Sequence, residues 1–135
     1  MIDVTCALII QDQKILVAQN NPTSDQAGKW EFPGGKIKPN ETAEECIVRE
    51  IMEELELSVS VSRKLEEVAY DYGRKIIRLI PFICKIEGGE IVLHDHQAIK
   101  WLSREELYDL DFSAADRALL NMKSNKDFLM KYFRE

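Results

Sequence analysis

The chain has 135 residues, of which 31% are charged and 45% hydrophobic, a length and composition that fit one globular domain with a single core. Its net charge of −6 excludes the basic footprint with which proteins grip duplex nucleic acid, so a phosphate-bearing ligand must be met locally, by a cation, a few Lys or Arg side chains, or a helix N-terminus. No stretch approaches the roughly 20 apolar residues of a membrane helix, and Met1-Ile2-Asp3-Val4 carries no basic leader, so a soluble, cytoplasmic protein is expected, with no membrane partner.

In chain order, Thr5 to Ile10 and Lys14 to Ala18 are β-branched runs joined by Gln11-Asp12-Gln13, which predicts an opening hairpin. Asn20 to Gly28 is polar and aperiodic, Trp30 to Phe32 is a short extended segment, and Pro33-Gly34-Gly35-Lys36 predicts a turn. Thr42-Ala43-Glu44-Glu45 has capping-box spacing and opens a helix that runs to about Leu55. Val59, Val61, Leu65 and Val68 restore alternation, and Ile76 to Ile86 is a strand whose Pro81 predicts an edge or a bulge. Gly88-Gly89 breaks that strand, and Ile91 to Leu93 and Ala98 to Leu102 read as short strands. Ser103 to Glu106 is a second capping box, and Ser113 to Met122 and Asp127 to Phe133 read as closing helices. Strands interrupted by one helix and followed by others predict an α/β fold: an α/β/α sandwich around a central mixed sheet, with residues 1–135 as one domain. Cys6, Cys46 and Cys84, odd in number and far apart, read as small buried hydrophobes.

The chemistry is concentrated on the first helix. At about 100° per residue, Ile47, Val48, Ile51, Met52 and Leu55 share one face, expected to be buried, while Glu50, Glu53 and Glu54 share an arc expected on the opposite side. A solvated acidic face is the bland explanation. It fits poorly, because like charges at i,i+4 cost about 0.2–0.5 kcal/mol per pair and the helix C-terminus already disfavours anions. A divalent cation removes both penalties, and all-oxygen donors favour magnesium or manganese over zinc. Just upstream, Gly34-Gly35 permits close backbone approach to a ligand and Lys36 offers a cation for phosphate.

Gly35-x5-Glu41-x7-Arg49-Glu50-Ile51-x-Glu53-Glu54-x-Glu56-Leu57 resembles the Nudix box of the MutT-like pyrophosphohydrolases at every defined position but one. The departure is Glu56, where the family carries glycine just past the helix. A left-handed non-Gly residue costs about 1 kcal/mol or more, so the last turn is expected to end differently here. The resemblance implies that Glu50, Glu53 and Glu54 hold magnesium or manganese, with a backbone carbonyl near Gly34 as a further ligand. It also implies that Arg49 orients these carboxylates, with Glu41 as an ion-pair partner.

Proton removal from an attacking water needs a carboxylate within reach, and Glu54 and Asp95 are both candidates. Asp95 lies in Leu93-His94-Asp95-His96-Gln97, where MutT-like proteins carry an extra acid, though an ordinary loop aspartate is the alternative. His94 and His96 have no further His or Cys partners at zinc spacing and are expected at the surface or in support of other side chains. Gly35 and Lys36 would meet phosphate. Phe32 would stack on a nucleobase or else belong to the core, and Asp116 would bond the base edge or merely favour a helix start. Tyr72 and Lys75 would contact base and phosphate or be ordinary turn residues.

The implied reaction is metal-dependent conversion of a nucleoside triphosphate to monophosphate and pyrophosphate, in the service of nucleotide-pool sanitising. Gln19-Asn20-Asn21 stands where many relatives have an arginine near the base, so oxidised dGTP and CTP or modified dCTP both stand as substrates. The alternatives are a non-hydrolysing nucleotide sensor and a hydrolase of another nucleoside diphosphate derivative. Oligomeric state is not read from the sequence.

Overall fold

The computed structural model describes residues 1–132; Phe133, the expected end of the last helix, lies outside them. Strands β1 (Ile2–Gln11) and β2 (Lys14–Asn20) form the opening hairpin, followed by β3 (Trp30–Glu31), β4 (Gly34–Lys36) and helix α1 (Ala43–Leu55). Then come β5 (Leu57–Lys64), β6 (Val68–Asp71), β7 (Ile76–Gly89), β8 (His96–Leu102), a 3-10 turn (Glu105–Tyr108), α2 (Ala114–Asn121) and α3 (Lys123–Tyr132).

The sheet is mixed. β1 runs parallel to β7, from Ile2 opposite Ile77 to Ile9 opposite Cys84, and is antiparallel to β4 and β2. β5 and β6 share the other edge of β7, and β3 and β8 flank β2. Alternation along β1 splits the core in two. Cys6 and Leu8 join Leu119, Leu120 and Leu129 under α2 and α3, while Ala7 and Ile9 join Ile47, Ile51 and Leu55 under α1. The expected α/β/α sandwich is therefore formed. Among the described residues no helix is long and apolar enough to cross a membrane.

Four expectations are corrected. Gly34 to Lys36 is a strand, not a turn, because a residue with no Cβ can lie flat against β1: a Cβ on Gly34 would fall 2.0 Å from the Thr5 carbonyl oxygen. Ile91 to Leu93 forms no strand and belongs to the loop before β8. Pro81 sits within a strand flanked by partners on both sides, at the junction where β7 changes partner from β6 to β5, and its carbonyl accepts from Leu65 N–H at 2.9 Å. The buried face of α1 is Cys46, Ile47, Ile51, Glu54 and Leu55, while Val48 and Met52 are 39% and 47% exposed. The helix is thus rolled so that its acidic edge turns toward β4 instead of away from the sheet.

Candidate active site

Helix α1 is fixed at both ends. Thr42 Oγ1 accepts from Glu45 N–H at 3.0 Å and Glu45 returns a bond to Thr42 N–H at 2.9 Å, the predicted capping box. At the other end Glu56 takes the left-handed conformation, with φ 57 and ψ 31, and its N–H donates to Met52 O. The helix therefore ends as it would with glycine, contrary to the expectation of a different last turn, and Glu56 bears the strain.

Arg49 is the hub of the acidic edge. Its Nε and Nη2 grip Glu41 bidentately at 2.6 and 2.9 Å, Nη1 reaches Glu50 at 3.0 Å and Glu53 at 3.1 Å, and Nη2 also donates to the Lys36 carbonyl at 3.2 Å. This fork holds the Glu41 carboxyl down at about 2, chiefly through the Arg49 hydrogen bonds and then the Lys38 N–H. Glu50 lies directly over β4, where a Cβ on Gly35 would fall 2.3 Å from its carboxyl carbon.

The three carboxylates do not all converge. Glu53 is half exposed and tied to Arg49, whereas Glu54 is 7% exposed and its Oε1 has no hydrogen-bond partner among the described residues. Burial pushes the Glu54 carboxyl up to about 10, reinforced by its hydrogen bond with Glu50 and by the charges of Glu31, Glu50 and Asp95. Among the described residues no three acidic, His or Cys side chains already close on one point. The donor set nevertheless fits a hard dication: oxygen-only, anionic, and including a buried oxygen with no partner. Asp95 sits in the exposed loop before β8, and its carbonyl accepts from the Asn21 side-chain amide. The Gly35 carbonyl is already engaged by Thr5 Oγ1 at 3.1 Å.

Beside this edge opens a cavity of about 850 Å³, bounded by β1, β3, the β6–β7 hairpin and the start of α2. Its size is in the range of small-molecule sites. Asp116, 6% exposed, projects into it while Oδ1 accepts from Phe32 N–H at 3.1 Å, and burial, then the Glu31 charge, raises its carboxyl well above the ordinary range. Tyr72 and Lys75 line the mouth, and the Tyr72 hydroxyl is occupied by Ala115 N–H at 2.9 Å. Phe32 is 2% exposed with its ring against Phe112, so it forms part of the wall as a core residue and offers no open stacking face. Lys36 is exposed and outside the cavity, contributing its carbonyl to Arg49.

Several residues escaped the sequence reading. Glu31 lines the cavity, and His96 Nε2 donates to it at 2.8 Å. His96 is therefore a buried support, 8% exposed, while His94 is the surface histidine. Arg74 adds a cation to the lining and Ser113 a buried hydroxyl with no partner among the described residues. The available signal for Glu31 was a polar side chain alternating with Trp30 and Phe32, but three residues are too few to set a face.

The Glu54 shift makes a pH prediction. The unfolded carboxyl ionises near 4.5 and the folded one near 10, so the folded state keeps a proton that the unfolded state has lost. That stabilisation is complete below the lower value, is lost progressively as pH rises, and is gone once pH has passed through the upper one. In chelator, the thermal midpoint is expected to fall between about pH 6 and 9, and added Mg2+ would raise it more at the higher pH if ion and proton compete for the same oxygens. Midpoints measured with EDTA and with MgCl2 across that range check this; a magnesium shift independent of pH contradicts it.

Comparison with known proteins gives the family. The family model described as NUDIX domain matches residues 1–122. The chain is 39% identical over 120 residues to the CTP pyrophosphohydrolase of Escherichia coli (strain K12), covering 89% of each. It is 30% identical over 103 residues to the 8-oxo-dGTP diphosphatase of Buchnera aphidicola subsp. Acyrthosiphon pisum (strain APS), covering 76% of this chain and 83% of that one. The crystal structure of the MutT protein from Methanosarcina mazei Go1 superposes with a TM-score of 0.82 at 23% identity, covering 99% and 96% of the two chains, a likeness of fold.

Proposed function

The chain belongs to the Nudix family, and from that premise we propose that it is a single-domain pyrophosphohydrolase that cuts a nucleoside triphosphate into monophosphate and pyrophosphate. The observation that carries this reading is the juxtaposition of an oxygen-donor edge, Glu50 held by Arg49 and Glu54 buried one turn on, with a cavity of about 850 Å³ that reaches Asp116.

Glu50, Glu53 and Glu54, with Asp95 and a backbone carbonyl near Gly34, would hold magnesium or manganese. When bound, such ions supply charge neutralisation for the phosphates and acidify an attacking water. The chain supplies the rest. Arg49 restrains Glu50 and Glu53 so that they need not be ordered anew at each turnover. Glu54 or Asp95 takes the proton from water. Lys36 and Gly35 flank the phosphates, Lys75 guards the mouth, and the base enters the cavity toward Asp116, past Tyr72 and the wall that Phe32 supports.

Asp116 and Ser113 offer donors, Glu31 an acceptor, and this mixture suits a polar base edge with an exocyclic amine. Cytosine and oxidised guanine both present one, as the names of the relatives suggest. A role in nucleotide-pool sanitising follows from that substrate class. The deciding experiment is a panel of normal and oxidised nucleotides incubated with magnesium, with products identified by mass. Release of pyrophosphate and monophosphate from CTP, a modified dCTP or 8-oxo-dGTP is expected. Tight binding with no phosphate release would favour the sensing alternative, and cleavage confined to nucleotide sugars or dinucleotides would move the substrate to another nucleoside diphosphate derivative.

A further inference from the structure

The joint between α1 and the 91–95 loop holds an arrangement that none of these roles uses. Glu56 occupies the left-handed C-cap, φ 57 and ψ 31, a conformation that glycine adopts freely and glutamate does not. Its carboxylate accepts from His94 Nε2 at 2.6 Å. The same loop is pinned by two backbone bonds to the end of α1, Val92 N–H to Leu55 O at 3.0 Å and His94 N–H to Glu54 O at 3.2 Å. On its far side the Asn21 amide donates to the Asp95 carbonyl. Asp95 is thus suspended between two anchors, and its charge acts on Glu54.

We infer that Glu56 and His94 are positioning residues, a side-chain latch across the last turn of α1 that fixes the Asp95 loop against the acidic edge. The strain at Glu56 is explained by this partnership, since glycine there would relax the backbone and release the loop's side-chain anchor. The inference rests on reading the acidic edge as the cation site. It assigns His94 a purpose that neither cavity nor carboxylates require, and gives the departure from the family pattern a physical reason.

The test uses Glu56→Gly, Glu56→Gln, His94→Ala and the Glu56→Gly/His94→Ala double variant, each compared with the parent for thermal midpoint, Mn2+ affinity without nucleotide, and kcat against KM. Glu56→Gly is expected to melt at or above the parent midpoint while binding Mn2+ about 10-fold more weakly, with kcat falling and nucleotide KM steady. His94→Ala should match it, the double variant should be no worse than either single, and Glu56→Gln, which keeps an acceptor for His94, should restore near-parent affinity. Parental Mn2+ affinity and kcat in both single variants, or losses that multiply in the double, would overturn the latch. If the parent itself binds no Mn2+, the cation reading falls instead, and amide exchange of residues 91–95 decides the latch: faster exchange in Glu56→Gly and His94→Ala supports it, and unchanged exchange overturns it.

Discussion

Glu54→Gln is expected to lower kcat by about 10³-fold while leaving the fold at least as stable as the parent at neutral pH. The two halves of that expectation come from one environment. Glu54 is buried, its Oε1 has no partner, and Glu50, Glu31 and Asp95 all act to keep it protonated near 10. Glutamine has the shape of the protonated acid and can still donate to Glu50, so the uncharged folded state loses nothing. What it cannot do is ionise, and so it can neither bind a cation as an anion nor receive a proton. In chelator, the variant should also lose the Glu54 share of the decline in midpoint with rising pH, because the group responsible no longer titrates. Kinetics with magnesium and thermal scans in EDTA test both halves. Parental turnover on every nucleotide would remove Glu54 from the reaction, and a collapse of the fold would mean that its burial serves packing instead.

How far the sequence led depends on the range over which each feature is encoded. The capping box at Thr42 and Glu45, the opening hairpin and the extent of α1 are set within a few residues, and each stands where expected. The α/β/α layering also followed, because one helix between strands and others after them leave both sheet faces covered, and β1 feeds both cores. The roll of α1 did not. Val48 and Met52 are as apolar as Ile47 and Ile51, and the roll follows from contacts across the sheet, the seating of Ile47, Ile51 and Leu55 in the core and the approach of Gly35 to Glu50. His96 and Glu31 are 65 residues apart in sequence, and a pairing of that range leaves no local trace. Asp116 was legible as a candidate, whereas its tether to Phe32 N–H joins residues 84 apart in sequence, and the burial that makes Phe32 wall and not platform is equally long-range.

The adjacent glycines of β4 should respond to the same substitution in opposite ways. An alanine Cβ at position 34 would sit 2.0 Å from the Thr5 carbonyl oxygen and 2.7 Å from Cys6 Cα. Those atoms belong to a central strand already paired with β7, so neither side can yield. Gly34→Ala must unzip β4 from β1, and a loss of about 4 kcal/mol or more is expected, the scale reserved for backbone collisions and broken cores. At position 35 the three atoms nearest the Cβ are all of the Glu50 carboxylate, Cδ at 2.3 Å and each oxygen at 2.5 Å. A side-chain tip can swing away, so Gly35→Ala should fold with a midpoint close to the parent's. The swing carries Glu50 off Arg49 Nη1, now 3.0 Å away, and out of register with Glu54. A displacement of that order costs about 10²-fold in rate, and it should appear in kcat and in Mn2+ affinity together, since one carboxylate serves both. Parental activity in Gly35→Ala would show that Glu50 does not take part, and a parental midpoint in Gly34→Ala would show that β4 does not lie against β1. Failure of one therefore leaves the other standing, because strand pairing is tested at one residue and the cation edge at the next.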